Sequence, residues 1–92
     1  MKYKIGDLVT EIIYRRQFMI IATREQNLDR NYLEKSKPQF EIELNENDII
    51  KVEDGFDYKA VELTGVTELI FDKQTFFENF MEDDLINEFP LT

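Results

Sequence analysis

Carboxylates are the only side chains here numerous enough for acid–base or metal chemistry. The sequence has no histidine and no cysteine, which removes imidazole base catalysis, thiolate nucleophiles and the usual zinc sites. Its one serine, Ser36, has no imidazole to activate it. Glycines stand far apart at positions 6, 55 and 65, so no glycine-rich phosphate cradle can form. Asp54 with Asp57 is a pair that glycoside hydrolysis could use. Glu82-Asp83-Asp84, followed by Glu88, could hold calcium weakly. Both have plainer readings. The aspartates flank Asp54-Gly55, a turn dipeptide, and the acidic run lacks the spaced ligands and central glycine of a calcium loop. The sequence therefore predicts no catalytic residue, no cofactor and no metal, and is not read as an enzyme.

Charge is the more informative feature. Residues 1–37 carry eight basic and five acidic side chains, and residues 38–92 carry three and fifteen, so balances of +3 and −12 make up the net −9. An acidic surface keeps a small protein dispersed, and it also attracts a basic partner. Asp48, Glu53, Asp54, Asp57, Glu82, Asp83 and Asp84 are the candidate contacts for such a partner. Arg15-Arg16 is a candidate anion contact. A molecule of this charge repels phosphate at long range, which disfavours direct nucleic-acid binding.

These groups must be positioned by a small β-rich unit. Ninety-two residues with 42% hydrophobic content is the size and composition of a single domain, spanning residues 1–92. Lys2 to Ile5 reads as extended, and Gly6-Asp7 as a turn. Leu8 to Tyr14 and Phe18 to Arg24 are rich in β-branched and aromatic residues, and predict a hairpin. Arg-Arg is not favoured in a two-residue turn, so the link is expected to be longer or bulged. Residues 25–37 read as a polar loop, although Leu28, Tyr32 and Leu33 would allow one or two helical turns. Phe40, Ile42 and Leu44 alternate with Glu41 and Glu43 as in a half-buried strand. Further strands are predicted over 49–53, 57–63 and 66–71, with turns at Asp54-Gly55 and Thr64-Gly65. Phe76, Phe77, Phe80, Met81 and Leu85 recur at helical spacing, which predicts a C-terminal helix near 73–88, ended by Pro90. Its phenylalanine stripe is expected in the core, with Phe89 and Leu91 exposed. The fold class is mainly β with a short C-terminal helix: a small SH3-like barrel or a meander of about six strands.

The opening Tyr3-Lys4-Ile5-Gly6-Asp7-Leu8-Val9, with Met19-Ile20-Ile21, resembles the YodC-like family of small SH3-like β-barrel proteins from bacteria and phages. The resemblance covers about the first quarter of the chain, and implies a compact barrel with no assigned enzymatic activity. The sequence departs from that pattern in Arg15-Arg16, where the family has a glycine-rich hairpin. It also has a long insertion over roughly 25–47 and no tryptophan.

Three functions follow as expectations. One is a non-catalytic protein-interaction or accessory module of bacterial or mobile-element origin, whose acidic face binds a basic protein. Another is a nucleic-acid mimic that inhibits a nuclease or defence effector, with carboxylates standing in for phosphates. The third is a small-ligand-binding homo-oligomer. Lack of cysteine favours a reducing compartment, and the sequence shows no apolar run of membrane-spanning length, so a cytoplasmic location is expected.

Overall fold

Every residue of Phe18-Met19-Ile20-Ile21-Ala22 is apolar, which is how a strand buried on both faces reads. The computed structural model, which describes residues 1–64, 69–72 and 74–87, places that run at the centre of an antiparallel sheet. Strand β1 (Leu8–Glu11) pairs with β2 (Gln17–Thr23) as the predicted hairpin, joined by the five-residue link 12–16. Helix α1 (Arg30–Ser36) and the short strand β3 (Glu41–Ile42) follow. Then come β4 (Tyr58–Glu62), β5 (Ile70–Phe71), β6 (Phe77–Phe80), a 3-10 turn (Glu82–Asp84) and β7 (Leu85–Ile86). The large sheet has the order β6-β4-β2-β1-β7, while β3 and β5 form a separate parallel pair.

The two edges of the large sheet, β6 and β7, are joined by Met81–Asp84 alone. Five flat strands would separate their edges by about 19 Å at ~4.8 Å per pairing. The four-residue link spans at most roughly 17 Å when extended, and a 3-10 turn shortens it well below that. The sheet therefore curls. Its register slips at Ile20/Ala22, a bulge that bends β2. All five strands contribute to the core inside the curl: Val9, Phe18, Ile20, Tyr58, Ala60, Phe80 and Leu85, with Tyr3. The alternate residues of β2, Met19 and Ile21, face a second core with Leu28, Phe40, Val61 and Phe71.

Several expectations are corrected. Residues 74–87 form no α-helix but β6, the 3-10 turn and β7, while Lys73 and residues 88–92, including Phe89 and Leu91, lie outside the described residues. Phe77 and Phe80 sit opposite Val61 and Tyr58. They reach the two different cores, so their spacing is not that of one helical stripe. Phe76 is exposed rather than in the core. The polar stretch 25–37 contains α1, capped by the Asp29 carboxylate, which accepts from the Tyr32 amide at 2.8 Å. The helix ends where Lys37 turns left-handed before Pro38. Residues 2–5 form no strand, and 49–53 contributes only a bridge between Ile50 and Leu28. Of the strand predicted over 66–71, β5 covers Ile70–Phe71, while 65–68, with the Gly65 of the predicted turn, lie outside the described residues. The structure is mainly β, but no closed barrel forms among the described residues, and none of their helices is long and apolar enough to cross a membrane.

Candidate functional site

The β1–β2 link is the most unusual part of the surface. Strand β1 stops at Glu11, whose residue is only 4% exposed. A buried carboxylate needs several donors, and Glu11 has them. It accepts hydrogen bonds from the backbone amides of Ile13 and Tyr14 and, at 3.3 Å, from Nε of Arg16. Arg16 turns its other nitrogens to Glu78 in a two-pronged pair at 3.1 and 3.2 Å, and lies 3.8 Å from Glu62. These partners, the Glu78 hydrogen bonds foremost, raise the guanidinium pKa further. Its planar face also lies 5.2 Å from the Phe18 ring centre and 5.7 Å from that of Tyr14.

The loop so fastened displays Ile13 and Tyr14 with 76% and 75% of their surfaces in solvent, beside the partly exposed Ile12. Ile12 donates its amide to the Asp84 carbonyl at 3.0 Å, which sets the tip against the acidic 3-10 turn. Arg15, at the apex, adopts a left-handed backbone with φ 59° and is exposed. The predicted arginine pair thus divides: Arg16 is half-buried and held by three glutamates, whereas Arg15 is exposed.

The seven predicted acidic contacts divide as well. Asp57 is buried; its carboxylate accepts from the Glu82 amide at 2.8 Å and pairs with Arg24 at 3.3 Å. Glu82 accepts from the Tyr58 hydroxyl at 2.7 Å and the Lys2 amide at 3.0 Å. The Tyr58 hydrogen bond, with that amide, holds Glu82 below the usual carboxylate range. Burial, then the Glu82 hydrogen bond, pushes Tyr58 up to about 12. Asp84 closes the 3-10 turn by accepting from the Met81 amide at 2.9 Å, and Asp48 does the same for Asn45 at 2.7 Å. Glu53, Asp54 and Asp83 are exposed, and their carboxylates have no partner among the described residues. Asp54 sits in the turn whose Gly55 has φ 92°, so the suggested Asp54/Asp57 pair is one turn residue and one buried structural group. Among the described residues no three carboxylates are grouped to hold a metal ion.

The sequence anticipates a hairpin with a link longer than two residues, but not where that link begins. Leu8 to Tyr14 reads as one unbroken strand, and only the five-residue spacing from Glu11 to Arg16 hints that both could close a loop. Comparison with known proteins adds no relative: no protein family, no curated protein and no solved structure matches the chain.

Proposed function

We propose that this chain is a non-catalytic protein-interaction domain with an SH3-like architecture, and that it docks through the Ile12–Tyr14 tip. The supporting observation is the pairing of exposure with anchoring: two large side chains stand three-quarters in solvent on a backbone fixed by a buried glutamate. Adjacent exposed apolar side chains mark contact surfaces, and tyrosine is a common anchor residue in them. A loop held in place before binding loses less conformational entropy when a partner closes on it. The curled five-stranded sheet, with its edges joined by a 3-10 turn, is what supports the barrel-like reading.

The partner offers an apolar pocket with basic groups around it. Asp83 and the rest of the 3-10 turn lie beside the tip, and a net charge of −9 steers a basic protein toward it. No acid–base or nucleophilic chemistry is assigned to the domain.

A photo-crosslinking residue at position 14, compared with one at exposed Glu25 beyond the other end of β2, tests this in lysate of the source cells. One protein should crosslink from position 14 and not from 25, and the yield should fall as salt rises. Equal labelling from both positions, or none from 14, would contradict the proposal.

A further inference from the structure

The outer core is fringed by half-buried side chains, and this fringe leaves a hollow. One depression of about 580 Å³ runs from the end of α1 along β3 and β5, and a second of about 320 Å³ lies between the segment 42–50 and β6. Ile42, Glu43 and Asp72 line both, so the two lie side by side. The hollow's apolar lining comes from Ile42, Leu44 and Phe77, which pack against the outer core, with Ile49 at 59% exposure, while Ile70 stands beside Glu41 on the other face of the β3–β5 pair. Its rim is acidic, with Glu41 and Glu43 on one segment, Asp48 on the next and Asp72 across from them. Lys37, at the α1 end, is the one basic side chain lining it among the described residues. Among the described residues, Asp48 and Asp72 accept hydrogen bonds from turn amides and a threonine hydroxyl and form no ion pair.

We propose that this groove binds a short extended segment of another protein in which apolar side chains alternate with lysine or arginine. An extended chain sends alternate side chains to opposite sides. Apolar ones would fill the floor, while long basic ones would bend their charged ends toward the rim. Each depression lies within the size range of ligand-binding clefts, and two side by side make room for side chains spaced along one extended segment. Among the described residues, four lining carboxylates against one lysine set the sign and disfavour nucleic acid and anionic membranes as occupants. The inference does not depend on the hairpin tip.

The test is an NMR titration of the full chain with an acetylated, amidated octapeptide of alternating lysine and leucine, beside its glutamate–leucine counterpart. The basic peptide should bind saturably, moving the amides of Ile42, Ile49 and Phe77, with affinity falling as salt rises. Ile49→Ser combined with Glu43→Gln alters two exposed side chains, keeps the fold and weakens binding at least tenfold, whereas Tyr14→Ser leaves it unchanged. The proposal is overturned by no saturable binding, by equal binding of the acidic peptide, by shifts centred on residues 12–14, or by full affinity in the double variant.

Discussion

The two faces of the sheet are built from the same strands but finished differently. Inside the curl, Phe18 stacks edge-on to Phe80 at 4.8 Å, and Tyr3 tilts against Tyr58 at 5.4 Å. Polar groups finish that face: Arg16 with its three glutamates beside Phe18, and Tyr58 with Glu82 and the Tyr3 amide near the end of β2. No buried side-chain polar atom among the described residues lacks a partner. The outer face is covered by α1, by two-residue strands and by irregular chain, and it ends in side chains that are only half-buried. Full-length strands can satisfy their backbones and seal a core, whereas short crossing segments leave gaps between them. The inner face thus gives the molecule its rigidity, while the outer face and the hairpin tip are left to meet other molecules.

Side-chain truncation should separate the faces most sharply. Phe18→Ala, at a fully buried site, should cost about 3–5 kcal/mol in urea unfolding, while Ile49→Ser on the groove should cost less than about 0.5 kcal/mol. Similar costs at both would break the comparison. Next in size is Glu11→Ala, which strands two tip amides and frees one side of Arg16, for a loss of about 2–3 kcal/mol. Tyr58→Phe should cost about 1–2 kcal/mol, since the Tyr3 amide loses its buried acceptor.

The Tyr58–Glu82 contact contributes to both limbs of the stability profile. Tyr58 ionises at about 12 in the folded state rather than 10, so its share of stability is complete below pH 10 and lost between 10 and 12. Glu82 is held below its ordinary value of 4.5, so its share is present above that pH and lost as acid is added below it. Glu82→Gln should flatten the acid limb of Tm against pH, and an unchanged limb would remove Glu82 from the account. Smallest of all is Arg15→Gly, which relieves a left-handed backbone and should raise stability by no more than about 1 kcal/mol in the same urea assay.

What was legible in the sequence was local. Gly6, Asp54 and Gly55 mark turns because their chemistry needs no distant partner, and β1–β2 pair as neighbours in the chain. The C-terminal segment was misread because a sheet buried on both faces erases the alternation that identifies a strand: Phe77 and Phe80 are both apolar while facing different cores. The charge asymmetry misled for a related reason. Arg16, from the basic part of the chain, folds in among Glu62 and Glu78 from the acidic part. The tip was hidden because the end of β1 at Glu11 is set by Arg16 and Glu78, not by any break in the run Leu8 to Tyr14.

The most direct test of a pre-built contact loop is backbone hydrogen exchange at Ile13 and Tyr14. Their side chains stand in solvent, yet their amides are bonded to a buried carboxylate. Both amides should exchange at rates close to those of the paired strands β1 and β2, and Glu11→Gln should release them. Exchange in the wild type as fast as in the exposed turn at Glu46-Asn47 would contradict the account.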